Sequence, residues 1–186
     1  ADDDTIILIY PQGLLYEEKG STGWNHEEGE NDDVAFIESI IDWTGDTYNV
    51  QLNEVYVTGF SNGGFMTYHL ACNLSAKVAA IAPVAGLMGN STYDTCSPIH
   101  PTPLAHIHGQ QDDVIFITGA DYYRPLEDNG STTGVISYWQ DYNQCNSFSE
   151  EPVYDNDQEV IGALKKWTNC SNNTEINYWI MFNRGH

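Results

Sequence analysis

The sequence predicts an α/β domain built on a mostly parallel β-sheet flanked by helices on both faces. Three observations carry this expectation. β-branched apolar runs recur along the chain, segments of helical spacing separate them, and the stretch GFSNGG (59–64) sits where one strand run meets one helix run. At 186 residues the chain is read as a single domain, 1–186, large enough to bury a real core.

Thr5 to Tyr10 (TIILIY) is a continuous β-branched run, expected for a strand buried on both faces, and Pro11 and Gly13 end it. A loop rich in Gly, Asn and Glu follows, up to Asn31. Its acidic run 27–33 lacks the ligand order of a calcium-binding EF-hand loop and reads as solvated. Asp32 and Asp33 suit a helix N-terminus, and Val34, Ile37 and Ile41 continue at helical spacing. Glu54 to Thr58 reads as a strand and Asn62 to Asn73 as the helix after it. Val78 to Gly86 and Leu104 to His108 read as further strands. A helix is expected from Thr132 to Asn143, with Val135, Trp139 and Tyr142 on one face. Residues 147–173 are polar and read as an irregular excursion before a last strand, Glu175 to Phe182.

Six Lys and Arg stand against 27 Asp and Glu, a formal charge of −21. Nucleic acid and anionic membranes bind through cationic side chains, so neither is an expected partner. No apolar run reaches the length of about 18 residues that suggests a membrane-spanning helix. Four cysteines, Cys72, Cys96, Cys145 and Cys170, contain no C-x-x-C pair, which argues against a zinc site of usual spacing. They allow three disulfide pairings. Cys72–Cys96 with Cys145–Cys170 closes two compact loops and would imply an oxidising, extracellular or periplasmic compartment; buried free thiols are the alternative.

Acyl transfer on a serine needs an exposed hydroxyl, a histidine to take its proton and a carboxylate to orient that histidine. Gly-x-Ser-x-Gly at a strand-to-helix turn supplies the first in Ser61, and the amide of Asn62 would face a developing oxyanion. A glycine-rich structural turn is the alternative reading. Asp112 and Asp113 follow the fourth strand, in the loop where α/β sheets place functional groups. Asp112 is the preferred acid and Asp113 its close competitor. Among six histidines, His69 falls inside a helix and reads as a surface or packing residue. His106 and His108 share a strand face without an evident third metal ligand. His108 is expected to hold the loop that carries the aspartate. His186, after the last strand and Gly185, is the expected base.

Together the stretches YPQG (10–13), GWN (23–25), DDVAFI (32–37), VYVTGFSNGGFMTYHLAC (55–72), AAIAPVAG (79–86), HIHGQQDD (106–113), YWQDYNQC (138–145) and GH (185–186) resemble one family. It is the polyhydroxybutyrate depolymerase and feruloyl or acetyl-xylan esterase group of α/β-hydrolases. The resemblance implies a Ser–Asp–His carboxylic ester hydrolase with Ser61 as nucleophile, Asp112 as acid and His186 as base. It also implies the cysteine pairing given above, and a substrate cleft near Trp24, Tyr10 and Gln12. Against the family pattern the chain reads as the core segment of a longer domain, lacking the HG-containing loop that gives a second oxyanion donor.

A secreted serine esterase is therefore expected, acting on polyester, feruloyl or acetyl polysaccharide, or short-chain esters. It would need no metal or organic cofactor. The alternative is a non-catalytic saccharide- or polyester-binding module on the same fold. Neither the particular ester nor the oligomeric state is legible.

Overall fold

In the computed structural model, residues 6–17, 20–26, 32–117 and 132–186 are described. The chain opens with a small antiparallel ladder, β1 (Leu14–Tyr16) with β2 (Ser21–Gly23), followed by helix α1 (Asp33–Thr47). Then come β3 (Val55–Phe60), α2 (Asn62–Asn73), β4 (Val78–Val84), the short α3 (Asn90–Thr95) and β5 (Leu104–Gly109). Helix α4 (Thr132–Tyr142), β6 (Ser147–Tyr154), β7 (Val160–Thr168) and β8 (Ile176–Met181) complete it. The main sheet has the order β3-β4-β5-β8-β7-β6. The first four strands run parallel, and β7 and β6 add on antiparallel.

Local chemistry explains the helix starts. The Asp32 carboxylate accepts the Ala35 amide at 2.9 Å, and Asp33 adds negative charge to the first turn of α1. Lys77, after α2, reaches back to Glu38 and Asp42 on α1.

The core lies between the sheet and helices α2 and α4. It includes Phe65, Tyr68 and Leu70 from α2, Val135 and Trp139 from α4, and Leu104, Ile176 and Tyr178 from the sheet. Full burial of each large apolar side chain contributes about 1.5–3 kcal/mol, so these helices are held by packing more than by intrinsic propensity. On β3 the opposite face carries Tyr56, Thr58 and Phe60 to solvent. Cover on both faces therefore does not extend over this edge strand among the described residues.

Two sequence expectations are corrected. Ile6 to Tyr10 is not a buried strand: it forms no ladder, and Ile6 and Tyr10 are 81% and 84% exposed. A β-branched run becomes a buried strand only when neighbours on both sides take its hydrogen bonds, and among the described residues it has none. Thr5 and residues 27–31 lie outside the described residues. Second, 147–173 is not irregular, because β6 and β7 form a long antiparallel hairpin. β6 is an edge strand exposed along nearly its whole length, so no apolar alternation marks it, and Pro152 is tolerated at such an edge. Its tight connection is held by Asp155, whose carboxylate accepts the amides of Asp157 and Glu159.

Both disulfides form in the pairing expected. Cys72–Cys96 ties α2 to the end of α3, and Cys145–Cys170 ties the exit of α4 to the segment after β7.

Candidate active site

Ser61 stands alone between the end of β3 and the start of α2, with φ 53° and ψ −116°. A non-glycine residue held in such a region stores about 1–3 kcal/mol of strain, which the surroundings must over-determine. They do so through the backbone. The Ser61 amide donates to the Val84 carbonyl at 2.9 Å, and its carbonyl accepts the amides of Gly64 and Phe65 at 2.8 and 3.1 Å. The glycines divide in their roles. A Cβ on Gly59 would overlap the Gly63 carbonyl, and one on Gly64 would lie 2.9 Å from the Val84 carbonyl oxygen. One on Gly86 would lie 2.7 Å from both the Ser61 oxygen and the Gly64 Cα. A Cβ on Gly63 meets nothing within 4 Å. The turn thus requires Gly59, Gly64 and Gly86, while the second glycine of the Gly-x-Ser-x-Gly pattern is sterically free.

The two distant residues arrive by a second close approach. A Cβ on Gly109, at the end of β5, would overlap the Gly185 and Arg184 carbonyls. The amides of Gln110 and Gln111 donate to the carbonyls of Met181 and Arg184 at 2.9 and 2.8 Å. The loop after β5 and the segment after β8 are therefore zipped together. His186 Nδ1 lies 2.8 Å from Asp112 Oδ2, and its Nε2 lies 2.8 Å from Ser61 Oγ. Ser61, His186 and Asp112 converge in that order, and the ring of Phe60 packs on the imidazole with centroids 4.7 Å apart. Asp113 is exposed, and of the two candidate carboxylates Asp112 is the one that meets the histidine.

Asp112 is buried and fully engaged. Its Oδ1 accepts the amides of Val114 and Ile115 at 2.9 and 2.7 Å, and its Oδ2 faces His186 and, at 3.3 Å, His108 Nε2. Burial alone pushes this carboxyl up. Hydrogen bonds from His186 and from the Ile115 and Val114 amides, with the attraction of His186, outweigh it and leave the carboxyl below its ordinary value. It is a fixed anion at neutral pH.

Asn62 opens α2, so its amide is among the first-turn N–H groups that have no acceptor within the helix. Its side chain does different work. Asn62 Oδ1 accepts the Trp24 amide at 2.7 Å, and Asn62 Nδ2 donates to the Trp24 carbonyl at 3.0 Å. This two-way clamp seats Trp24 beside the serine turn, where its half-buried ring stacks on Phe36. Tyr10 and Gln12 are exposed in the segment before β1, while neighbouring Gly13 packs on Gly23 and Trp24.

His106 and His108 are wholly buried, and their ring nitrogens bond to Tyr68, to each other and to the Ile115 carbonyl. Among the described residues no group of three His, Cys, Asp or Glu could hold a metal ion. Sequence reasoning missed Tyr68, Gly109 and the side-chain role of Asn62. The HIHG repeat was the one available signal, since two polar rings on one strand face must find buried partners.

Sheet order, serine turn and the loop after β5 together define an α/β-hydrolase fold. Solved structures share it: an acetyl xylan esterase from Aspergillus awamori has TM-score 0.54 at 16% identity, covering 89% of this chain and 68% of that one. Arabidopsis thaliana SOBER1 has TM-score 0.53 at 13% identity, covering 96% and 74%.

A family model described as phospholipase/carboxylesterase matches residues 21–127, more than half of the chain, and the chain belongs to that family. Among curated relatives, the bifunctional acetylxylan esterase/xylanase XynS20E of Neocallimastix patriciarum is 28% identical over 187 residues. That match covers all of this chain and 25% of the relative. Feruloyl esterase C of Emericella nidulans is 34% identical over 115 residues, covering 62% of this chain and 38% of the relative. The chain thus spans well under half the length of these relatives.

Proposed function

We propose that this protein is a serine carboxylic ester hydrolase acting on feruloyl or acetyl esters of plant polysaccharide. The observation that carries the reading is the unbroken order Ser61 Oγ, His186 Nε2, His186 Nδ1, Asp112 Oδ2, with both contacts at 2.8 Å. The names of the curated relatives support the substrate class, feruloyl and acetylxylan esters over polyesters. The two disulfides fit an oxidising compartment and support secretion. A purely binding role would leave the strained serine and the buried carboxylate without a purpose, so catalysis is preferred.

In the ground state His186 Nδ1–H donates to Asp112, which leaves Nε2 as the acceptor of the Ser61 hydroxyl. Ser61 Oγ attacks the ester carbonyl as its proton passes to Nε2, and Asp112 stabilises the imidazolium. Negative charge developing on the carbonyl oxygen faces the Asn62 amide at the N-terminus of α2, where the helix dipole also favours it. Collapse forms the acyl-serine and expels the alcohol, which takes the proton from His186. Water then attacks the acyl-serine, giving its proton to His186, and Ser61 is restored with release of the acid.

The test pairs turnover with labelling. Hydrolysis of p-nitrophenyl acetate and methyl ferulate, covalent labelling of Ser61 by a fluorophosphonate, and loss of both in Ser61→Ala are expected. A folded sample showing neither turnover nor labelling overturns the proposal.

A further inference from the structure

Behind Asp112 a chain of buried polar groups runs into the core. Tyr68 Oη lies 2.7 Å from His106 Nδ1, His106 Nε2 lies 3.1 Å from His108 Nδ1, and His108 Nε2 lies 2.7 Å from the Ile115 carbonyl oxygen. Tyr68 and His106 have no exposed surface, and His108 is 1% exposed. Three rings from α2 and β5 thus form a line that ends on the loop holding Asp112.

The direction of every bond in that line follows from one fixed end. A carbonyl oxygen can only accept, so His108 Nε2 carries a proton. Burial lowers the basicity of the His106 imidazole well below its ordinary value, and the neighbouring His108 adds to this. Burial likewise lowers His108, against the opposing pull of Ile115 and Asp112. Each ring is therefore neutral and holds one proton. His108 Nδ1 must then accept, so His106 Nε2 donates to it, and His106 Nδ1 accepts the Tyr68 hydroxyl proton.

We propose that Tyr68, His106 and His108 act as a positioning relay, which holds His108 as an Nε2–H donor so that it clamps the 112–115 loop and presents Asp112 to His186. His108 Nε2–H donates to the Ile115 carbonyl at 2.7 Å, and the same nitrogen lies 3.3 Å from Asp112 Oδ2. That oxygen is the one that receives His186 Nδ1–H. Loss of the relay frees the loop to shift, and a displacement of about 1 Å in a catalytic constellation can lower the rate roughly a hundredfold. His108 touches no reacting atom, and it acts through Asp112. The inference rests on the esterase reading for its catalytic consequence, whereas the tautomers stand on hydrogen bonding and burial and do not depend on it.

The experiment has two arms. In His108→Leu, kcat for p-nitrophenyl acetate is expected to fall about 10- to 100-fold with KM within about twofold. His108→Gln, which keeps a donor and an acceptor, is expected to recover most of that loss at a similar melting temperature. Equal kcat in both variants, whether at the wild-type value or equally reduced, overturns the relay. The second arm needs no variant to fold: long-range ¹H–¹⁵N correlation spectra of the native protein are expected to show His106 and His108 as neutral Nε2–H tautomers. An Nδ1–H form of His108 overturns the proposal. A native protein with no turnover and no Ser61 labelling would sink the esterase reading instead, and the tautomer result would still decide the relay.

Discussion

Gly109 and Gly185 touch so closely that a methyl group on Gly109 would overlap the Gly185 carbonyl. That contact, far from Ser61 along the chain, sets where His186 falls. β5 and β8 run side by side and in register to their ends, with Gly109 opposite Met181. The residues just beyond both strands can then lie against each other, and Asp112 meets His186.

Gly109→Ala should separate the two segments. We expect kcat for p-nitrophenyl acetate to drop roughly a hundredfold, because His186 no longer bridges Ser61 and Asp112. A variant that keeps wild-type turnover would show that the approach is not needed.

Within the serine turn, the two glycines of the Gly-x-Ser-x-Gly pattern should respond in opposite ways. Gly59→Ala forces a Cβ into the Gly63 carbonyl, and it should unfold the turn or abolish labelling of Ser61. Gly63→Ala enters open space inside a helix, where alanine is favoured over glycine by about 0.5–1 kcal/mol. A rise in melting temperature with Ser61 still reactive is expected. Chemical denaturation and fluorophosphonate labelling of both variants check the contrast.

The two adjacent carboxylates should separate just as clearly. Asp112→Asn keeps the shape but presents an amide to His186 Nδ1, and comparable changes in serine triads lower kcat by about 10⁴-fold. Asp113→Asn changes an exposed side chain and should leave kcat within about twofold of wild type. Equal effects of the two substitutions would undo the assignment of Asp112.

Stability should depend on pH in a stated direction. His106 and His108 bind protons less readily folded than unfolded, so the unfolded chain takes up more protons below its own value near pH 6.5. Their contribution is complete above that value and is lost as pH falls toward their folded values. The slope is at most about 1.4 kcal/mol per pH unit for each ring. Asp112, lowered in the fold, adds a further loss only near and below about pH 4. Urea midpoints at pH 7.5, 6.5 and 5.5 should fall chiefly in the last interval. A flat profile there would show that the rings are not held neutral.

Much of the site was legible from local pattern. GFSNGG between a β-branched run and a helix-forming one marks the turn, because the backbone contacts seen around Ser61 leave no room for a Cβ at Gly59 or Gly64. α2 and β5 were placed almost to the residue, since their apolar faces are buried and therefore patterned. The β6–β7 hairpin was not legible for the converse reason. Its first strand is solvent-exposed, and exposed strands carry no apolar alternation. Ile6 to Tyr10 misled in the other direction, because composition favours a strand but only paired neighbours make one.

By itself the sequence determined the parallel α/β frame and the serine turn, which rest on local periodicity and on steric limits at single residues, and it set Ser61, Asp112 and His186 in that order along the chain. Only the tertiary structure brings Asp112, and not Asp113, to His186: the two differ not in type but in which one the close contact of Gly109 with the 184–185 backbone leaves facing the imidazole. It alone turned the HIHG repeat into a buried line of fixed proton donors. A hydrogen bond joins atoms in space, and residues separated by 74 positions carry no mark of it along the chain.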